Sequence, residues 1–185
     1  RVELNQRRAA GYDYVAISPG NYGLDFLKAA YGYDLDRSVK CSNFIGQTMD
    51  MAVELGFKRV LLTGHIGKLI KVAGGIMNTH SREADCRMEL LAAFAVRFQV
   101  PKERIQKMLE CVTTEEAVRI LKECGKEREV MDYAMERICY YLDKRVKGQL
   151  QIACCMYSNE FGELAKSKEA AEWFTLLVQE QEQRT

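Results

Sequence analysis

Residues 61–89 concentrate the side chains of this chain that are best suited to chemistry. The stretch holds both histidines, His65 and His80, and four of the thirteen glycines. An imidazole can act as an acid or base near neutral pH, as a metal ligand or as a structural hydrogen-bond donor. Asp85 follows in the same stretch and could act as a base or complement a helix dipole. A functional site, if the chain has one, is expected here.

The two histidines are not spaced as a metal-binding pair. A helical zinc site places its histidines four residues apart, whereas these lie fifteen apart, with no third ligand nearby. The seven cysteines include no CxxC pair. Reduced, buried thiols in a cytoplasmic protein are therefore favoured over a zinc site or a disulfide framework. We predict that the chain holds no metal.

Two glycine-containing loops follow apolar runs and could approach a ligand closely. In one, two residues separate Gly64 from Gly67 where a phosphate loop has four, and a leucine follows the lysine. ATP binding by that mechanism is not expected, although the loop amides could hold an anion at a helix N-terminus. In the other, Gly20, Asn21 and Gly23 lack the dinucleotide-binding spacing. That loop is either a tight turn or a ligand-binding turn.

Basic side chains follow the first loop although the chain as a whole is almost neutral. A solvated face is the usual role of such charges, and it is an open alternative for Lys68, Lys71, Arg82 and Arg87. The formal net charge of +1, from 27 basic and 26 acidic residues, argues against a nucleic-acid or membrane partner. No apolar stretch approaches the length needed to span a bilayer.

Apolar runs that lead into polar loops predict the elements that position these residues. The runs that predict strands are 14–18, 38–41, 57–63 and 151–157. Helical periodicity predicts a helix from Ser81 to about Phe98, and Thr113 with Glu116 predicts a capping box. This alternation predicts an α/β fold: a mostly parallel sheet of about four or more strands, flanked by helices, with a helical segment near 81–148. No linker divides the chain, so we expect one α/β domain over 1–185.

Three blocks of the sequence are distinctive: ISPGNYGLDF at 17–26, VKCSNFIGQTMDMA at 39–52 and LTGHIGKLIKVAGGIMNTHSREADCRMELLAA at 62–93. They resemble the CbiD family, the cobalt-precorrin-5B C(1)-methyltransferases of the anaerobic cobalamin pathway. The resemblance covers most of the chain and loosens after about residue 100. Members of the family are longer and carry an additional N-terminal region. The resemblance therefore implies that this chain corresponds to their C-terminal half and lacks an N-terminal domain.

The resemblance implies methylation of ring carbon C-1 of cobalt-precorrin-5B, a tetrapyrrole rich in carboxylates, with S-adenosylmethionine as the methyl donor. The implied substrate ligands are Lys68, Lys71, Arg82 and Arg87. The implied floor of the cofactor or substrate cleft is Gly20, Asn21, Gly23, Gly64 and Gly67. His65, His80 or Asp85 would orient the macrocycle or accept a proton. Two alternatives stay open: a tetrapyrrole-binding module without activity of its own, and a phosphate- or nucleotide-binding α/β protein.

Overall fold

A mixed β-sheet lies at the centre of the protein in a computed structural model, which describes residues 1–20 and 24–182. The strands are β1 (Tyr14–Ser18), β2 (Val39–Lys40), β3 (Arg59–His65), β4 (Gln151–Ser158) and β5 (Gly162–Lys166). The helices are α1 (Val2–Ala9), α2 (Leu24–Tyr31), α3 (Ile45–Glu54), α4 (Ile66–Val72), α5 (Arg87–Arg97), α6 (Lys102–Glu110), α7 (Thr114–Glu123), α8 (Glu127–Val146) and α9 (Ala170–Glu182).

The strand order is β2-β1-β3-β4-β5, in which the first four strands run parallel and β5 pairs antiparallel with β4. The predicted α/β class and mostly parallel sheet are confirmed. From β1 the chain moves to one side for β2, then returns past β1 and continues as β3 on the other side. This reversal creates a topological switch point between the carboxyl ends of β1 and β3, the place where open α/β sheets bind ligands.

Helices cover both faces of the sheet, which explains the nearly continuous apolar strands. On β3, Val60 and Leu62 face one buried cluster with α3, α4 and the layer formed by α5–α8. Leu61 points the other way, into a second cluster with residues of α2 and α9. All three side chains are at most 1% exposed. Within the described ranges, no helix has the length and apolar character needed to cross a bilayer.

The predicted capping box at the start of α7 is confirmed. The Glu116 amide donates to Thr113 Oγ1 at 3.3 Å, and the Thr113 amide donates to the Glu116 carboxylate at 2.9 Å. These reciprocal bonds fix the first turn of α7. That turn carries Thr114 and Glu115 toward the carboxyl end of β3.

The helix predicted to begin at Ser81 is wrong at its start, because α5 begins only at Arg87. The reason lies in His80. Its carbonyl accepts the Glu83 N–H at 3.0 Å, and its ring Nδ1 accepts the Arg82 N–H at 3.0 Å. These bonds close a turn in place of a first helical turn, so the segment between His80 and Arg87 is a loop.

Candidate functional site

A cleft of about 440 Å³ opens at the carboxyl edge of the parallel strands, at the switch point. It brings together these residues predicted from the sequence: Gly20, His65, Gly67, Lys68, Lys71, His80, Asp85 and Arg87. They come from the end of β1, the β3–α4 junction and the loop before α5. We call this space the main cleft.

His65 ends β3 and caps α4. Its Nδ1 accepts the Gly67 amide hydrogen at 3.1 Å, and its Nε2 lies 2.7 Å from Glu115 Oε1. Because Nδ1 accepts a backbone N–H, it carries no proton, and the ring proton is assigned to Nε2. The ring is therefore held as the neutral Nε2–H tautomer, with both nitrogens engaged.

Glu115 is the main functional candidate that the sequence did not reveal. Besides the contact with His65, its carboxylate accepts the Thr114 hydroxyl at 3.0 Å and faces the Ser158 hydroxyl at 3.4 Å. Ser158 is itself held at the end of β4, because its Oγ accepts the amides of residues 160 and 161. The only sequence signal for Glu115 was its place inside the capping box.

Lys68 and Lys71 project from α4 into the main cleft. Lys68 Nζ donates to the Pro19 carbonyl at 2.7 Å and to the Ser42 carbonyl at 3.4 Å, which ties together the ends of β1 and β2. Lys71 is buried, and its Nζ donates to the Thr79 carbonyl at 3.1 Å. Burial lowers the pKa of both ammonium groups below their ordinary value. Both cations are bound mainly to neutral carbonyl oxygens.

Asp85 is engaged by basic neighbours. Arg87 donates to both of its oxygens, at 2.7 and 3.1 Å, and Lys71 Nζ lies 3.9 Å away. The hydrogen bonds from Arg87 lower the pKa of Asp85. A carboxylate held ionised in this way is a weak proton acceptor, so the geometry gives Asp85 a charge-balancing position.

Of the other predicted residues that the structure describes, His80 lies at the rim of the main cleft, and Arg82 and Gly64 are not part of its lining. His80 is an exposed residue of the lining, with its Nδ1 engaged by the loop turn. Arg82 is exposed and is not part of the lining. Gly64 is buried behind Pro19, whose Cγ would lie 2.9 Å from an added Cβ, so this glycine serves close packing. Asn21 and Gly23 lie outside the described residues.

Further lining residues were not predicted as site residues. They are Pro19, Asn43, Thr79, Ser81, Thr113, Thr114, Glu115 and Tyr157. Asn43 links two loops, because its carbonyl accepts the Thr79 amide at 2.9 Å and its side-chain oxygen lies 3.3 Å from Thr79 Oγ1. It belongs to one of two Ser-Asn-x-x-Gly segments, each of which follows a parallel strand. The position after a strand was the signal that could have found it.

A second concavity adjoins the main cleft. It measures about 390 Å³ and is lined by His65, Thr113, Glu115, Asn159 and Glu160. We call it the side recess. His65, Thr113 and Glu115 belong to both linings, so the pair of His65 and Glu115 stands where the two spaces meet. Glu160 is ion-paired with Arg119.

Within residues 1–20 and 24–182, no three His, Cys, Asp or Glu side chains come together in a way that could hold a metal ion. The cysteines are free thiols, and three of them are buried.

Comparison with known proteins agrees with the resemblance seen in the sequence blocks. Residues 78–168 match the family model described as CbiD, C-terminal domain, which extends well beyond residue 100. A cobalt-precorrin-5B C(1)-methyltransferase of Ruminiclostridium cellulolyticum is 43% identical over 157 residues, covering 85% of this chain and 41% of the relative. The proteins of the same name from a Thermoanaerobacter species and from Methanocaldococcus jannaschii are 38% and 41% identical. They align with 93% and 82% of this chain, and with 47% and 42% of their own lengths.

The chain thus spans somewhat less than half the length of these curated relatives. No solved structure matches it. The family model and the relatives together place the chain in the CbiD family, where it matches the C-terminal portion.

Proposed function

We propose that this chain supplies the tetrapyrrole-binding cleft of a cobalt-precorrin-5B C(1)-methyltransferase. The relatives carry that name over chains about twice as long. The methylation itself is therefore proposed for the protein to which this half belongs. We also propose that this protein acts in cobalamin biosynthesis and that it is located in the cytoplasm.

The observation that carries the proposal is the grouping of three basic side chains in the main cleft. Lys68, Lys71 and Arg87 line it together, and the acidic side chains of the same lining are Asp85 and Glu115. Asp85 partly neutralises Arg87 and Lys71, and Lys68 is bound to carbonyl oxygens. A precorrin carries acetate and propionate groups around its ring. Cations fixed at a half-buried edge are suited to hold such carboxylates.

The cofactor that we propose is S-adenosylmethionine, whose sulfonium supplies an electrophilic methyl group. The lining of the side recess fits it, because Glu115 and Asn159 offer oxygen atoms that can accept hydrogen bonds from hydroxyl groups or face a cation. The chain's own contribution is positioning, which can provide much of the acceleration in a reaction that needs no protein nucleophile. Both nitrogens of His65 are engaged, so we assign this ring to orienting Glu115 and not to accepting a proton from the substrate.

Two alternatives can be separated from this proposal. A binding module without its own activity would hold a corrin but show no turnover when supplied with the rest of the enzyme. A phosphate-binding role has weaker geometric support, because the Gly67 amide at the start of α4 already donates to His65. ATP titration is the check for that role.

Calorimetry with cobyrinic acid, a corrin that carries free carboxyl groups, tests the proposal. We expect the chain to bind it and to bind its fully esterified form at least tenfold more weakly, as charge-assisted hydrogen bonds would be lost. Lys68→Gln should weaken binding of the acid about tenfold, while the control Lys102→Gln, at an exposed site on α6, should not. Equal affinity for acid and ester would contradict the proposal.

A further inference from the structure

We propose that the Glu115 carboxylate is the counter-charge for the cationic methyl donor. The donor's sulfonium would then lie beside Glu115, where the main cleft meets the side recess, and the polycarboxylate would occupy the main cleft. This inference rests on the proposed function and deepens it, because it assigns one residue and one place to the donor.

The position of Glu115 is the first argument. Its side chain lines both spaces and is 21% exposed, so it is accessible to a ligand yet partly shielded from solvent. At such a place an ionic contact is worth more than at an open surface, because the effective dielectric constant is lower. Methyl transfer also requires the donor and the accepting carbon to be neighbours, and this is the junction of the two spaces.

The second argument is the chemistry of the partners of Glu115. Its oxygens face the hydroxyls of Thr114 and Ser158 and the Nε2 of His65. All three are neutral, since the His65 ring keeps its other nitrogen as an acceptor for a backbone amide. Among the described residues, no lysine or arginine forms an ion pair with Glu115.

The other carboxylates of the two linings differ in this respect. Asp85 is bound by Arg87 through two hydrogen bonds, and Glu160 is paired with Arg119. The capping box at the start of α7 engages the amides of Thr113 and Glu116. Glu115 is therefore the carboxylate whose charge is best placed to meet a cation from outside the protein.

The third argument is the distribution of charge between the two spaces. The lysines and the arginine of the site line the main cleft, and within the described residues none lines the side recess. A sulfonium is repelled by Lys68, Lys71 and Arg87 and attracted by Glu115. A polycarboxylate experiences the opposite forces. The arrangement sorts the two ligands by charge and brings them together at Glu115.

Transfer of the methyl group removes the charge on which this contact depends. The sulfur–methyl bond breaks and its electron pair returns to sulfur, while an electron pair of the ring carbon forms the new carbon–methyl bond. The product, S-adenosylhomocysteine, is a neutral thioether with the same adenosine and amino-acid groups. A counter-charge at Glu115 must therefore favour S-adenosylmethionine over S-adenosylhomocysteine, and this preference can be measured without turnover.

Calorimetry of S-adenosylmethionine and S-adenosylhomocysteine against the chain and its variants provides the test. We expect the wild type to prefer S-adenosylmethionine by roughly tenfold, and Glu115→Gln to lose most of that preference while S-adenosylhomocysteine binds within about twofold of wild type. The glutamine keeps a side-chain oxygen for the neighbouring donors, and the melting temperature verifies the fold. Glu115→Asp should keep the preference because it keeps the charge.

Glu123→Gln is the matched control, since Glu123 lies at the far end of α7, paired with Arg104. It should leave both affinities unchanged. A Glu115→Gln variant that retains the wild-type preference would overturn the inference and leave the proposed function standing. Failure of the wild-type chain to bind either nucleoside would overturn the cofactor assignment in the proposed function, and this inference with it.

Discussion

His65 and Glu115 meet across the junction of the two spaces, with Nε2 and Oε1 2.7 Å apart. His65 ends a central strand, and Glu115 lies in the first turn of α7, in the α5–α8 layer that covers one face of the sheet. His65 also accepts the Gly67 amide, so a single ring links the end of β3, the start of α4 and the start of α7. The local structure and the candidate site therefore depend on the same side chain.

We expect His65→Ala to destabilise the protein by about 1 kcal/mol, because the N-cap of α4 is lost. The free energy of unfolding is obtained from urea denaturation. His80→Ala is the control, since His80 is exposed and its ring nitrogen engages only the amide of a loop residue. Equal losses in the two variants would show that His65 has no special role as a cap.

Asp85→Asn should strengthen binding of a corrin polycarboxylate by a few fold. The substitution removes one negative charge from the main cleft and releases Arg87 and Lys71 for a ligand. Calorimetry with cobyrinic acid gives the affinity. Asp132→Asn, which breaks an exposed ion pair with Arg128 on α8, should have no effect. Weaker binding in Asp85→Asn would instead mean that Asp85 contacts the substrate directly.

Thr113→Ala should lower the free energy of unfolding by about 1 kcal/mol, because Thr113 caps α7. It should also weaken S-adenosylmethionine binding, since the first turn of α7 positions Glu115. Thr175→Ala on α9 is the matched control; its hydroxyl bonds the carbonyl of the preceding turn. A loss of stability with unchanged cofactor affinity would show that Thr113 stabilises α7 but does not position Glu115 for the cofactor.

The sequence predicted the residues of the site that directly follow a strand. β1 was placed correctly at residues 14–18, and Lys68 and Lys71 lie in the cleft because a helix starts immediately after β3. The loops that follow parallel strands meet at the same edge of the sheet, so residues directly after different strands lie close together. The family resemblance added the interpretation of these cations as carboxylate ligands.

The sequence could not reveal what depends on packing between distant segments. Glu115 reaches the site because α7 packs in the α5–α8 layer, and no local pattern encodes that distance. The late start of α5 follows from the His80 ring, which competes for a backbone amide in the manner of a turn residue. β5 is a short edge strand, and its sequence GELAK includes the charged residues Glu163 and Lys166, so it lacks the apolar alternation that would predict a strand.

Lys71→Met should change how stability depends on pH. Burial lowers the pKa of Lys71 below its ordinary 10.5. In the window between the lowered pKa and 10.5 the unfolded chain binds more protons than the folded protein, so wild-type stability rises with pH there. Below that window the cost of burying the ammonium is fully present. The methionine variant has no group to titrate at this position and carries no such cost.

The difference in unfolding free energy, variant minus wild type, should therefore be largest at neutral pH and shrink as the pH approaches 10.5. Urea denaturation at intervals between pH 7 and 10.5 measures it. Lys102→Met, at an exposed position, should give a difference that does not change with pH. A Lys71→Met difference that grew with pH would mean that the Thr79 carbonyl and Asp85 stabilise the ammonium by more than burial costs it. In that case Lys71 would be a structural cation, with less of its charge available to a carboxylate in the main cleft.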